Sequence, residues 1–470
     1  MDAIKRSFLY RFLLRIDSQL CRWWEQSLPG RWLTDQDPSE SVFTPGRRAG
    51  YRLRSTLCGV FEALRIPALL ENSLFLHPAL FAAAALILAP LAPTMLILML
   101  VCGCFLSMIL KFGVDRNTGI CPAPLNAHIG LYTFVVFWST VTSVNLTGSL
   151  FPGLLTMAFV LFYFGVTSAG LEKYLNHVLW LLLTVGTAVS LYGFYQFANP
   201  AQYSNVWTDT DLFSTIAFRV YSTLENPNVL GEYLLLIIPI GCAMLLCDQS
   251  WGKRLACLAA VGIMGVCLIL TYSRGCYLGL LAAAAVFLVL LDRRFLFLGL
   301  IAVALCPLYL PESVISRFTS IGNLADTSTS YRVRIWFGVL DMLRDYGFSG
   351  VGFGSAAFNT VYPAYAYHGV TAQHAHNLFL QILCDSGIVG LAAFLGLIVS
   401  FYRMMLTSLR RETDRRARLL QIGGTCSVTG FLVQSLTDYT FYNYRVMLLF
   451  FALLGLCVLF TRAGKQEARA

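Results

Sequence analysis

The sequence contains little charge for its length. Of its 470 residues, 13% are charged, whereas about 25% is usual for soluble domains. Hydrophobic residues make up 57% of the chain, against the usual figure of about 45–50%. So few charged side chains cannot cover the surface of several soluble domains, so a soluble multidomain protein is excluded. The composition and the long apolar runs predict an all-α integral membrane protein.

Paired cysteine motifs are also missing. The 14 cysteines include no CxxC pair, and most of them fall inside apolar runs. They are interpreted as buried free thiols, which excludes a secreted disulfide framework and a cysteine metal site. The first apolar stretch, Phe8–Leu14, contains Arg11 and is followed by Arg15. No cleavable signal peptide is therefore predicted.

About twelve apolar segments are long enough to cross a membrane as helices. They lie near residues 74–90, 93–111, 129–147, 150–169, 177–196, 227–247, 255–272, 275–292, 295–310, 386–404, 419–436 and 444–461. Only the turn Pro90-Leu91-Ala92-Pro93 separates the first two, so eleven spans with one broken helix is the alternative. Two helices are preferred because one helix over both segments would overshoot a bilayer of about 30 Å.

The distribution of basic residues predicts the orientation. All but seven of the 34 lysines and arginines fall in the termini and in alternate loops. The positive-inside rule therefore places both termini in the cytoplasm. The seven basic residues predicted outside are all arginines: Arg219, Arg274, Arg317, Arg332, Arg334, Arg344 and Arg445.

Two predicted domains follow from this arrangement. Residues 1–73 form a cytoplasmic segment, and residues 74–470 form a polytopic membrane domain. Basic and large apolar side chains alternate over Lys5–Arg15, and Trp23 and Trp24 follow. Such a pattern is typical of an amphipathic helix lying on the anionic inner leaflet.

Two predicted outer loops are long, at residues 197–226 and 311–376. Long ordered loops are where function concentrates in such proteins. Arg274 lies between two apolar runs with almost no loop, so we expect it close to the outer membrane boundary. A cation there needs compensation. It either snorkels to lipid headgroups or binds an anion such as a lipid diphosphate.

The second loop contains an amphipathic helix, which Thr329 or Ser330 caps and which continues to Asp345. One face is predicted to carry Arg332, Ile335, Trp336, Val339 and Leu343, and the opposite face Arg334, Gly338, Asp341 and Asp345. Arg332 stands in the first helical turn, which favours anions, so it is predicted to contact one. Its alternative is an ion pair with Glu225 or Asp385. Arg334 is expected to pair with Asp341.

Four further residues complete the predicted site. Arg219, just before the sixth span, contacts the same anion or pairs with Glu225. His376 is a candidate general base because a neutral imidazole titrates near neutral pH, and His374 is two residues away. On a helix these two side chains would diverge, so no shared metal is predicted. Asp438 binds an acceptor or pairs with Arg445.

Several motifs together resemble the O-antigen ligase and O-antigen polymerase family of bacterial polytopic glycosyltransferases. The resemblance covers roughly residues 215–450. It rests on Tyr272-Ser273-Arg274-Gly275, Tyr331-Arg332-Val333-Arg334-Ile335-Trp336, Gly350-Val351-Gly352-Phe353-Gly354, His374-Ala375-His376-Asn377-Leu378-Phe379-Leu380-Gln381 and Gly387-Ile388-Val389-Gly390-Leu391. Asp385-Ser386 stands where members of the family often have a glutamate.

The resemblance implies transfer of a glycan from a polyprenyl diphosphate, such as undecaprenyl diphosphate, to a glycan or lipid-linked acceptor. The reaction would occur at the outer face of the bacterial cytoplasmic membrane. Arg219, Arg274 and Arg332 would bind the diphosphate, and His376 would act as base. Arg334, His374, Asn377 and Asp438 are supporting candidates. A single displacement would invert the anomeric carbon, and no metal or cofactor is required.

Polymerase and ligase share these motifs, so both remain open, with a preference for a surface-polysaccharide polymerase. A transporter or flippase for lipid-linked oligosaccharide is the alternative, and a structural scaffold for an assembly complex is a third. Transporters place charges near the bilayer midplane, whereas the charges here gather at the predicted outer face. The expected partners are the glycan donor and acceptor, membrane lipids and envelope polysaccharide assembly proteins, but no nucleic acid.

Overall fold

The computed structural model describes most of the chain after residue 76. It covers residues 77–467 apart from 115–118, 205, 208–217, 248–249, 293, 296–298, 300, 302–303, 306–310 and 321–326. Before residue 77 it describes only positions 15, 19, 22, 23, 26, 56, 59, 60 and 63. The interfacial helix predicted within residues 1–73 and much of the predicted span 295–310 lie outside the described residues.

Throughout the described residues the regular elements are helices, which confirms the all-helical prediction. In chain order we number the α-helices α1 (Pro78–Leu88), α2 (Thr94–Val114), α3 (Asn126–Val141), α4 (Leu146–Ser168), α5 (Leu175–Ala198), α6 (Pro227–Leu246), α7 (Trp251–Leu270), α8 (Arg274–Asp292), α9 (Glu312–Thr319), α10 (Thr327–Tyr346), α11 (Ser355–Val361), α12 (Leu378–Leu409), α13 (Arg415–Gln434) and α14 (Tyr444–Glu467). Short 3₁₀ turns lie between several of them.

Eight helices of the described part are long and apolar enough to cross a membrane. They are α2, α4, α5, α6, α7, α8, α12 and α14. Helix α1 is apolar but has 11 residues, α3 has 16 residues, and α13 opens with a run of arginines. These helices are those of a multi-pass membrane protein, while the total of twelve spans stays a prediction.

The centre of the bundle is formed by α6, α13 and α14. Helix α13 packs most extensively along α8 and α6, and α14 packs along α4 and α13. Close approach of α8 and α13 depends on two glycines, since a Cβ on Gly279 would meet the Gly430 carbonyl oxygen at 2.5 Å. Small residues at such crossings let helices pack backbone to backbone in a membrane.

Helix α12 is broken at Gly387, where φ is 65° and ψ is −169°. The backbone groups released by the break bond to residues 347–352 of the preceding loop. The amide of Val351 donates to the Cys384 carbonyl at 2.7 Å, and the amide of Ile388 donates to the Gly347 carbonyl at 2.9 Å. Gly350 has φ of 74° and lies against the Asp385 carbonyl, so only glycine fits there. The glycine run therefore docks this loop onto the bundle.

Helix α10 lies in the second predicted outer loop, and its buried face differs from the predicted one. Ile335 and Val339 are fully buried as expected. Gly338, predicted on the polar face, is also buried, because the Tyr365 carbonyl packs against it. Met342 completes this small second core. The helix is thus rotated towards the loop residues that cover it.

Candidate active site

Four arginines line one cavity at the end of the bundle where α6, α8 and α12 begin. The cavity has a volume of about 320 Å³ and we call it the arginine cavity. Its wall includes Arg219, Arg274, Arg317, Arg332, Asn228, Tyr272, Ser328, Trp336, Gln434 and Thr437. The three arginines predicted to bind diphosphate therefore lie together. Arg317, which was not predicted as a ligand, joins them.

Arg219 is held by three hydrogen bonds. Its Nε donates to the Thr271 carbonyl at 2.9 Å, Nη1 to the Trp207 carbonyl at 3.2 Å and Nη2 to Asn228 Oδ1 at 3.1 Å. These contacts replace the predicted alternative of an ion pair with Glu225. Burial lowers the pKa of Arg219 to about 9, and the nearby charges of Arg317 and Arg332 add to this effect. The side chain still carries its charge at neutral pH.

Arg274 and Arg317 are anchored by backbone carbonyls. Arg274 Nη1 donates to the carbonyl and to the hydroxyl of Ser320, both at 3.2 Å. Arg317 is only 8% exposed, and its Nε donates to the Tyr272 carbonyl at 3.2 Å. Tyr272 adopts a φ of 50°, a left-handed conformation that is costly for a bulky residue. This turn directs its carbonyl towards the guanidinium.

Arg332 faces Asp438 instead of the predicted Glu225 or Asp385. Its Nη1 donates to Ser328 Oγ at 2.6 Å, and its Nη2 lies 3.8 Å from Asp438 Oδ2. The buried Nε of Arg332 has no hydrogen-bond partner among the residues that the structure describes. A buried donor without a partner is costly, so this guanidinium has unused capacity to bind an anion.

A second cavity, which we call the aromatic cavity, adjoins the first and has a volume of about 380 Å³. Its wall includes Trp207, Tyr331, Tyr439, Tyr442, Gln373, His374, His376, Asp438, Asn226 and Glu232. Among the described residues, five line both cavities: Arg219, Asn228, Arg317, Ser328 and Arg332. The two cavities therefore meet at the arginines.

The candidate base, His376, pairs with Asp438. Its Nδ1 lies 3.1 Å from Asp438 Oδ1, whereas Arg445, the predicted partner of Asp438, donates to the Ala92 carbonyl. Burial alone would raise the pKa of Asp438, but the hydrogen bond from His376 and the charge of Arg332 outweigh it and lower this pKa below its usual range. The ionised carboxylate accepts a hydrogen bond from Nδ1–H, so Nε2 is the basic nitrogen.

His374 lies beside His376, contrary to the expectation that the two side chains diverge. Their ring centroids are 4.1 Å apart, because both residues precede α12 and His376 has a φ of 47°. Burial lowers the pKa of His374 to about 4, and the neighbouring His376 contributes. Ligand atoms of His374, His376 and Asp438 lie within 4.8 Å of one another, so this geometry could hold a metal ion. The positive charges of the adjacent arginines oppose the binding of a metal cation there.

Two hydrogen bonds to the backbone of Ala375 hold the loop that carries His376. The amide of Ala375 donates to Gln381 Oε1 at 2.7 Å, and the Trp336 indole donates to the Ala375 carbonyl at 3.0 Å. Gln381 in turn donates to Asp385 Oδ1 at 2.7 Å. The amide and the carbonyl group of Ala375 are thus both held by buried or partly buried side chains.

Two supporting candidates lie outside both cavities. Asn377 caps α12: its Oδ1 accepts from the Leu380 amide at 3.0 Å, and its Nδ2 donates to the Leu436 carbonyl at 2.8 Å. Arg334 is exposed on α10. The predicted pair of Arg334 with Asp341 is wrong, since Asp341 pairs with Arg344 at 3.1 Å.

Asn228 links the two halves of the site and was missed by the sequence analysis. Its Nδ2 donates to Asp438 Oδ2 at 2.7 Å, while its Oδ1 accepts from Arg219. The only sequence signal was its place directly after the Asn226-Pro227 turn. A continuous polar network therefore runs from the arginine cavity to the candidate base.

Comparison with known protein families places this site in context. A family model described as O-antigen ligase matches residues 259–395, which include Arg274, Arg317, Arg332 and His376. A comparison with curated proteins gives no match. Residues 259–395 thus match the O-antigen ligase family, as the motifs predicted. This match and the apolar helices together indicate a membrane enzyme of glycosyl transfer in surface-polysaccharide synthesis.

Proposed function

We propose that the protein transfers a glycan from a polyprenyl diphosphate to a hydroxyl group of a second glycan or of a lipid-linked sugar. The reaction takes place at the outer face of the bacterial cytoplasmic membrane. The observation that carries the proposal is the contact between a cavity of four arginines and the His376–Asp438 pair. The first suits the leaving group and the second suits the nucleophile.

The arginine cavity supports binding of a diphosphate. Arg317 and Arg332 both lie close enough to Arg219 to affect it electrostatically, and like charges held this close are unfavourable unless an anion lies between them. Guanidinium groups bind phosphate oxygens with two parallel hydrogen bonds. Because the guanidiniums are fixed beforehand, they can also stabilise the charge that grows as the sugar–phosphate bond breaks.

The His376–Asp438 pair supports activation of the acceptor. The acceptor hydroxyl oxygen attacks the anomeric carbon of the donor sugar, and its proton passes to His376 Nε2. The bond from the anomeric carbon to the diphosphate oxygen breaks, and its electron pair leaves with the polyprenyl diphosphate. One displacement inverts the anomeric carbon. Asp438 stabilises the imidazolium that forms.

A surface-polysaccharide polymerase is the preferred form of this activity. In a polymerase the acceptor is another lipid-linked chain of the same repeat units, whereas in a ligase it is a different glycolipid. Both reactions release polyprenyl diphosphate from the donor. The polymer length of the product separates them once release is established.

The test uses the purified protein with a polyprenyl-diphosphate oligosaccharide in the presence of a chelator. Wild type is expected to release polyprenyl diphosphate, and His376→Ala and Arg332→Ala are each expected to slow release by about 10²–10³. Two matched controls should keep their rate: Arg344→Ala, which is exposed on the same helix as Arg332, and His368→Ala, an exposed histidine of the same loop. Thermal unfolding in detergent checks that each variant is folded.

Either of two results contradicts the proposal. The first is a folded His376→Ala variant with the wild-type rate, which would remove the base. The second is a wild-type protein that binds the donor without releasing polyprenyl diphosphate when glycan acceptors are supplied.

A further inference from the structure

The two adjoining cavities differ in chemistry. Arg274 and Thr437 line only the arginine cavity, whereas Trp207, Tyr442 and His376 line only the aromatic cavity. Resting on the proposed function, we propose that the aromatic cavity is the binding site of the acceptor saccharide, which stacks on Tyr442 and Trp207. The arginine cavity then holds the diphosphate of the donor.

The position of the base supports this division. His376 reaches only the aromatic cavity, so the hydroxyl that loses its proton must approach from there. Arg219 and Arg332 line both cavities, and they therefore lie at the junction between nucleophile and leaving group. A displacement with inversion needs these two groups on opposite sides of the anomeric carbon, and a nucleophile in the aromatic cavity with a leaving group in the arginine cavity would meet that requirement.

The walls of the aromatic cavity suit a sugar ring. Trp207, Tyr331 and Tyr442 are 42%, 40% and 56% exposed. The polar atoms of two of them are occupied, since the Trp207 indole donates to the Glu225 carbonyl and the Tyr331 hydroxyl donates to the Thr371 carbonyl. These bonds fix the rings, which offer flat apolar surfaces for the C–H face of a pyranose.

Polar side chains around the rings suit sugar hydroxyls. Asn226 and Gln373 line the cavity, and Glu232 of α6 contributes a carboxylate that is 2% exposed. Glu232 accepts a hydrogen bond from Gln434 Nε2 at 3.3 Å. An acyl chain would leave such polar groups uncompensated, whereas a saccharide offers several hydroxyl donors. Apolar walls with a few convergent polar groups are typical of small-molecule sites.

Two probes separate the cavities. The first is polyprenyl diphosphate that carries no sugar. The second is free oligosaccharide, released by mild acid from the host's polyprenyl-linked donor or, for a ligase, from its surface glycolipid. Binding of each to the full-length protein in detergent is measured by calorimetry. Wild type is expected to bind both.

Variants at the two cavities are expected to show opposite effects. Tyr442→Ala should weaken oligosaccharide binding about tenfold or more, by analogy with stacking of other rings on aromatic side chains, and should leave polyprenyl diphosphate binding unchanged. Arg274→Ala should do the reverse. Tyr442→Phe keeps the ring and should bind the oligosaccharide as wild type does. Trp207→Ala provides a second test of the same cavity should Tyr442→Ala fail to fold.

The proposal is overturned if wild type binds neither oligosaccharide, if Arg274→Ala weakens oligosaccharide binding as much as Tyr442→Ala does, or if both aromatic variants bind it normally. Failure of the proposed function has a different signature. In that case wild type releases no polyprenyl diphosphate from the donor when glycan acceptors are supplied, while oligosaccharide binding that depends on Tyr442 persists.

Discussion

Replacing Gln381 by methionine is expected to slow catalysis without weakening donor binding. Gln381 is 2% exposed and contacts neither cavity. Its two hydrogen bonds, to the Ala375 amide and to Asp385 Oδ1, are both 2.7 Å long. Methionine has a similar volume but makes neither bond. The Ala375 peptide, next to His376, would lose one of the two contacts that fix it.

The magnitude follows from the groups left without partners. A buried amide or carboxylate that loses its hydrogen bond costs about 1–3 kcal/mol, and more when it is charged. Because two such groups lose their bonds, the folding free energy of the Gln381→Met variant is less favourable by about 2–6 kcal/mol if the structure stays rigid. If the loop moves to relieve this cost, His376 is displaced from its position. Each 1.4 kcal/mol that this displacement adds to the activation free energy slows the reaction about tenfold. We expect kcat to fall by about 10–100-fold and the donor KM to change by less than about threefold.

The assay needs a control for general destabilisation. Gln421 is another fully buried glutamine; its Nε2 donates to the Phe460 carbonyl at 3.1 Å, at the other end of the bundle. Gln421→Met should lower the melting temperature and leave kcat intact. The reasoning is refuted if Gln381→Met lowers the melting temperature as Gln421→Met does but retains the wild-type kcat.

Two further predictions concern the histidines. A chelator should leave the rate of polyprenyl diphosphate release unchanged, because the adjacent arginines oppose a metal ion at His374, His376 and Asp438. Loss of rate in chelator with recovery on adding a divalent cation would contradict this. The pKa of His374 is lowered to about 4 by burial, whereas an unfolded histidine titrates near 6.5. The stability that neutral His374 contributes is therefore fully present above about pH 6.5, and it is lost as the pH falls towards 4. Between pH 7 and 4.5 the melting temperature should fall less for a His374→Gln variant than for wild type. An equal fall in both proteins would refute the role of His374 in this pH dependence.

The apolar pattern of the sequence predicts some helix boundaries correctly and misses others. The predicted span 227–247 corresponds to α6 (Pro227–Leu246), and 275–292 corresponds to α8 (Arg274–Asp292). Proline or arginine marks the start of each run, so the boundary is visible in the sequence. Helix α12 begins eight residues before its predicted start at 386, because Gln381 and Asp385 interrupt the apolar pattern. Their polar groups satisfy each other inside the fold, which residue-by-residue hydropathy cannot register.

The candidate site was predictable only where it depended on helix ends. Arg219, Arg274 and His376 each lie just before or at the start of a helix, so the alternation of spans alone brings them to one end of the bundle. Contacts across the chain were not predictable. Asp438 meets His376 across 62 positions, and this depends on how α12 and α13 pack. Arg317 was one of seven outer arginines, but no local pattern set it apart.

The alternative of a transporter meets an obstacle in the same contacts. Transporters often bind substrate at a broken helix, and α12 is broken at Gly387. Here the freed backbone groups are bonded to residues 347–352 instead of lining a cavity. A flippase must also bind the diphosphate on one side of the membrane and release it on the other. Arg219 and Arg317 are tied to the carbonyls of Thr271 and Tyr272, so these guanidiniums would retain the anion at the end of the bundle where His376 lies.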